Sequence, residues 1–127
     1  MIQKRLEDIT LDDLNGLIAD EVTERKTLDY KRELPGLRDA DKKEFLADVS
    51  SFANASGGDM LFGLEEEVDD AGNKTGKPKS IVPIVGETSN DAILRLEQTV
   101  RTGIDPKVRV ETRVVAVSYT HLRAHET

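Results

Sequence analysis

The run from Asp41 to Leu64 constrains the fold more than any other stretch of this chain. Phe45, Val49, Phe52 and Ala53 fall at i, i+4, i+7 and i+8, which is one apolar stripe of a helix. Asp41 caps its start, with Glu44 at the reciprocal position of a capping box. Gly57-Gly58 closes the helix, because the residue beyond a helix end often takes positive φ and glycine does so at least cost. Met60-Leu61-Phe62-Gly63-Leu64 follows at once and reads as a short buried strand. A helix that delivers straight into a buried strand predicts helices layered on a sheet.

The flanking segments extend the same pattern. Ile9, Leu11, Leu14, Leu17 and Ile18 have helical spacing, with Thr10 as N-cap and Asp13 as its reciprocal partner. Residues 27 to 32 alternate and predict a strand, which Leu34-Pro35-Gly36 ends. Residues 65 to 80 are polar and read as a long loop or the turn of a hairpin. Ile81 to Val85 then reads as the return strand, made an edge or irregular by Pro83. Ile93, Leu96 and Val100 mark a helix over 90 to 102, stopped by Gly103. Val108, Val110, Thr112 and Val114 alternate with Arg109, Glu111 and Arg113, a strand with one wet face. The order predicts an α/β (α+β) domain, a small mixed sheet packed by two or three amphipathic helices.

Composition narrows the function classes. The chain has 127 residues, enough for one domain, with 18 Lys+Arg against 25 Asp+Glu and a formal charge of −7. An acidic chain is not the usual footprint of a nucleic-acid binder, so any such binding must come from a local basic patch. No run is apolar enough to span a membrane, and no secretory signal follows Lys4-Arg5. The chain has no cysteine, which excludes thiolate metal sites and cysteine nucleophiles and fits a reducing cytoplasm.

Residues 117 to 127, Val-Ser-Tyr-Thr-His-Leu-Arg-Ala-His-Glu-Thr, show no apolar period and no tie to what precedes them. They resemble the translation of a transposon-end sequencing adapter, with a natural tail as the alternative. On the adapter reading His121 and His125 carry no chemistry, and the native sequence stops inside a strand. The expected division is a helical lead-in over 1–20, an incomplete domain over 21–116 and a foreign tail over 117–127. An unpaired strand edge would then make the chain poorly soluble.

The residues that could do chemistry are few. No P-loop follows Gly57-Gly58, and no Ser-His-Asp set exists once the histidines are set aside. What remains is acids, one lysine and a turn. Asp29 and Lys31 share a strand face, Glu24 lies five residues before Asp29, and Glu65-Glu66-Glu67 follows a strand end. Each has a plain structural alternative: a solvated strand end paired with Lys31, a solvated loop, a helix cap at Gly57-Gly58, and a turn bond at Asn54. Cations cluster at Lys31, Arg32, Arg38, Lys42 and Lys43, at Lys74, Lys77 and Lys79, and at Arg101, Lys107, Arg109 and Arg113.

Glu24, Asp29-Tyr30-Lys31, Ser51-Phe52-Ala53-Asn54-Ala55-Ser56-Gly57-Gly58 and Met60-Leu61-Phe62-Gly63-Leu64-Glu65-Glu66 together resemble the Schlafen/AlbA-type domain, a family associated with DNA binding. The likeness covers about residues 20 to 115. Asp29, Tyr30 and Ser51 stand where the family more often has Glu, Phe and Ala. The resemblance implies a nucleic-acid-binding module at the head of a longer regulator-like or ATP-binding protein, with DNA or RNA as partner and no cofactor needed for binding. Lys31, Arg32, Asn54, Gly57, Gly58, Lys74 and Lys77 would make the contacts. It implies as an alternative a metal-dependent ribonuclease-like site, with Glu24, Asp29 and Glu66 as catalytic residues holding Mg²⁺ or Mn²⁺. ATP would belong to a downstream region. A protein-interaction or self-association module is the third reading.

Overall fold

The computed structural model describes residues 2–55, 57–82, 84–116 and 119–125. A 3-10 turn, Leu6–Asp8, leads into α1, Leu11–Ala19. Strand β1, Leu28–Lys31, is followed by α2, Asp39–Asn54, and β2, Gly58–Phe62. A hairpin of β3, Leu64–Val68, and β4, Lys74–Ile81, precedes α3, Ser89–Gly103. Strands β5, Val110–Ala116, and β6, Tyr119–Ala124, complete the order. Among the described residues no helix is long and apolar enough to cross a membrane.

The main sheet runs β1-β2-β6-β5, with β1 parallel to β2 and the other pairs antiparallel. Each face of β2 enters a different core. Met60 and Phe62 join Phe45, Val49 and Phe52 of α2, Leu96 and Val100 of α3, and Leu122 and Ala124 of β6. Leu61 joins Leu28 and Tyr30 of β1 and Leu6, Ile9 and Leu14 of the lead-in. Burying each such side chain is worth about 1.5–3 kcal/mol, so both layers hold the sheet. The lead-in is also clamped through charge. Asp59 is fully buried and meets Arg123 Nε at 2.7 Å. The same pair holds the Ile2 amide, at 2.7 Å from Asp59, and the carbonyls of Ile2 and Lys4.

Most predicted elements form, with instructive shifts. Thr10 and Asp13 make the expected reciprocal cap. Helix α2 begins three residues early, with Arg38 rather than Asp41 at its N-cap, so Asp41 sits inside its first turn and accepts the Arg38 amide and guanidinium. Residues 65 to 80 form the expected hairpin, but its turn is only 69–73 and the rest is strand. The return strand is Lys74–Ile81 rather than 81–85, and Pro83 lies outside the described residues. Its polar sequence hides a strand held by backbone pairing to β3. In α3, Ala92 rather than Ile93 joins Leu96 and Val100 as fully buried. The wet face expected of the final alternating segment is partly covered, since Arg113 Nε donates to the Ile9 carbonyl at 3.1 Å and Val115 packs on the lead-in core.

The tail differs most from expectation. Tyr119–Ala124 lies between β2 and β5, so β5 is paired along the side expected to be open. Leu122 and Ala124 alternate into the core around Arg123, a period-2 signal too short to stand out in the sequence.

Gly57 has φ +89°, and Gly58 lies where an added Cβ would stand 2.6 Å from Phe52 Cγ. Both are buried. Gly58→Ala must push the Phe52 ring out of its seat, so the expected cost is about 1–3 kcal/mol in urea unfolding. An unchanged midpoint would contradict this packing.

Candidate functional site

Strand β1 is an edge of the main sheet, and the site is built on that edge. The Tyr30 amide donates to Glu24 Oε2 at 2.8 Å, and the Tyr30 hydroxyl donates to the Val22 carbonyl at 2.7 Å. The Glu24 amide in turn donates to the Gly76 carbonyl at 2.7 Å. The Gly76 amide donates to Glu66 Oε2 at 2.8 Å. One residue of β4 thus fixes two acids on one side of a cleft of about 580 Å³, which Glu24, Asp29, Lys31, Arg32, Glu66 and Lys74 line.

Asp29 and Lys31 share the β1 face turned toward α2, as their spacing predicts. Lys31 Nζ stands 3.2 Å from Asp29 and 3.3 Å from Asp48 of α2. Burial pulls the Lys31 pKa down, but the two carboxylates outweigh it and hold the ammonium charged. Glu24 behaves in the opposite way. Burial, a hydrogen bond shared with Asp29 and the charges of Asp29 and Glu66 push its pKa up to about 8, against the Tyr30 amide. A protonated Glu24 can donate to Asp29 while still accepting from Tyr30.

The three expected carboxylates, Glu24, Asp29 and Glu66, therefore meet at one cleft together with Lys31, Arg32 and Lys74. Among the described residues no three acidic or histidine side chains form a set that could hold a metal ion. Glu66 accepts the Gly76 amide on Oε2 alone, and the trio as placed forms no metal shell. Lys77 stands 3.6 Å from Glu21 instead of lining this cleft. Asn54 ends α2 and Gly57-Gly58 leads into the start of β2, whereas Lys31 pairs with Phe62 at its far end. Gly57 and Gly58, expected against phosphate, are buried, and the close approach to Phe52 accounts for Gly58.

Two residues escaped the sequence reading. Asp48 reads as a polar helix position, and only the packing of α2 on β1 brings it to Lys31. Gly76 looks like loop composition, yet a glycine inside a strand signals a bulge or a close backbone approach. Both hold here: its φ is +82°, and an added Cβ would lie 3.0 Å from Thr23 Cγ2.

Two predictions follow from this geometry. Gly76→Ala should cost about 1–2 kcal/mol in denaturant unfolding, through its left-handed φ and the Thr23 contact; wild-type stability would show that the bulge is soft. The second concerns pH. Folded Glu24 holds its proton up to about pH 8, against an ordinary value of 4.5. The stability tied to that proton is whole below the unfolded value and is lost as pH rises through the folded one. Glu24→Gln keeps an acceptor for Tyr30 and removes the titration. Its melting temperature should exceed wild type by roughly 2–5 °C at high pH, a modest gain because the group is only half-buried, and the difference should close toward acid pH. Parallel melting curves across pH would refute the raised pKa.

Comparison with known proteins matches this architecture. The model of the family described as Schlafen, AlbA_2 matches residues 24–124. No curated protein matches the chain. Among solved structures, the chain is similar to the N-terminal domain of a RecG-related protein of Nitrosomonas europaea, assigned by name to the ATP-dependent DNA helicases. The identity is 21%, the TM-score 0.51, and the alignment covers 91% of this chain and 68% of that one. It also resembles the DIP2311 protein of Corynebacterium diphtheriae at 19% identity and TM-score 0.48, over 90% of this chain and 24% of that protein. With a family model running from Glu24 through β1, α2 and the whole sheet to Ala124, the chain belongs to the Schlafen AlbA_2 family.

Proposed function

We propose that this chain is a nucleic-acid-binding module that grips the phosphate backbone at the β1 edge. The observation that carries this reading is the gathering of Lys31, Arg32 and Lys74 on one cleft in a chain of net charge −7. Family membership and the DNA-helicase name of the Nitrosomonas relative support it. Arg32 is exposed, 4.0 Å from Glu65, and no ion pair among the described residues engages Lys74. These two can meet phosphates without first breaking a close pair, whereas Lys31 is held by Asp29 and Asp48 and would act as a fixed positive charge. Within a longer protein the module would deliver a regulator-like or ATP-binding region to DNA or RNA.

Binding of a short single strand should weaken steeply with salt, because each neutralised phosphate releases counterions. Fluorescence anisotropy should give a log–log slope of about −2 for three contacts, and Arg32→Ala or Lys74→Ala should each flatten it by about 0.7. No binding to DNA or RNA at low salt, or a slope untouched by either variant, would refute the proposal.

A divalent-metal nuclease is the second reading, favoured by the meeting of Glu24, Asp29 and Glu66 beside the same cations. The carboxylates as placed form no metal shell, so no catalytic step is assigned to them. This reading requires RNA or DNA cleavage with Mn²⁺ that chelator and Glu66→Ala both abolish; intact substrate under Mg²⁺ and Mn²⁺ would remove it.

A further inference from the structure

A second cavity, of about 410 Å³, opens between the Leu34–Gly36 loop and α2. Its size falls within the range of about 300–1,000 Å³ usual for small-ligand pockets. Lys31 lines both this cavity and the cation cleft, so the two are adjacent. Half-buried Leu34 and Pro35 give its apolar wall over the buried rings of Phe45 and Phe62; Asp48, paired with Lys31, and the Arg38–Asp41 pair also line it, while Glu33 and Glu44 stand exposed. No ion pair or hydrogen bond among the described residues engages the carboxylate of Glu33 or Glu44.

We propose that this cavity receives one unstacked nucleobase bearing an exocyclic amino group, from a strand whose phosphates lie along the neighbouring cleft. The inference rests on the backbone-binding reading above. Its chemistry is that of base recognition in general. An apolar wall such as Leu34-Pro35 can lie against the flat face of a base, and single-strand binders gain affinity from contacts with base faces. Carboxylates accept hydrogen bonds from amino groups such as cytosine N4. They offer nothing to the carbonyl at the equivalent position of thymine. A base can enter only if it is unpaired, so the cavity points to single-stranded substrate.

The test compares oligo-dC, oligo-dT and a dC strand with interspersed abasic sites, all of one length, by anisotropy at low salt. The 127-residue chain should bind oligo-dC roughly tenfold more tightly than oligo-dT, with the abasic strand no tighter than oligo-dT. Glu44→Ala, a change at an exposed helix position, should bring the dC-to-dT ratio close to one. Equal binding of all three strands would overturn the base pocket while leaving the backbone reading intact. Failure of every strand to bind would overturn both.

Discussion

The rest of the structure depends on the burial of strand β2. All five residues from Gly58 to Phe62 are shielded from water, and their side chains alternate between two separate apolar layers. A strand so placed needs partners on both sides for its backbone polar groups, and β1 and β6 supply them. The register then follows from the pleat. A slip by one residue would drive Asp59 into the layer of Met60 and Phe62 and break its pairing with Arg123. Gly58 belongs to the same constraint, because a side chain there would displace Phe52 and lift α2 away from the sheet.

The site follows from what β2 leaves unfinished. Pairing on one side only, with β2, leaves β1 an edge strand, so the Tyr30 amide points outward and needs an acceptor. Glu24 supplies it from the preceding segment, and Gly76 ties that segment to the hairpin. Capping an edge with an acidic side chain also prevents a foreign strand from adding there. The cost is that acids crowd together, and Glu24 relieves the crowding by keeping its proton toward pH 8. The cleft is therefore less negative near neutral pH than its sequence suggests, which helps an acidic chain to tolerate phosphate beside Lys31, Arg32 and Lys74.

Much of this was legible in the residues, for reasons that can be named. The stripe of Phe45, Val49, Phe52 and Ala53 is long enough to fix a helix and its buried face. The two-residue step from Asp29 to Lys31 fixes a shared strand face, and Glu24, Asp29 and Glu66 do meet at one cleft. What stayed hidden is held by backbone or by distant packing. Strand β4, Lys-Thr-Gly-Lys-Pro-Lys-Ser-Ile, buries only Pro78 fully and so carries no apolar period. Strand β6 signals its inner face through Leu122 and Ala124 alone. Gly76 acts through its amide and carbonyl, which no side-chain pattern reports, and Asp48 matters only once α2 lies over β1.

The β1 edge, with its acids and cations, is the surface proposed to meet nucleic acid. Amide chemical-shift mapping of the labelled chain against a short single strand tests it most directly. The largest shifts are expected at Tyr30, Lys31, Arg32, Glu66, Lys74 and Gly76. Shifts confined to the Asn54–Gly58 turn or to the outer face of α3 would contradict it and place the interface elsewhere.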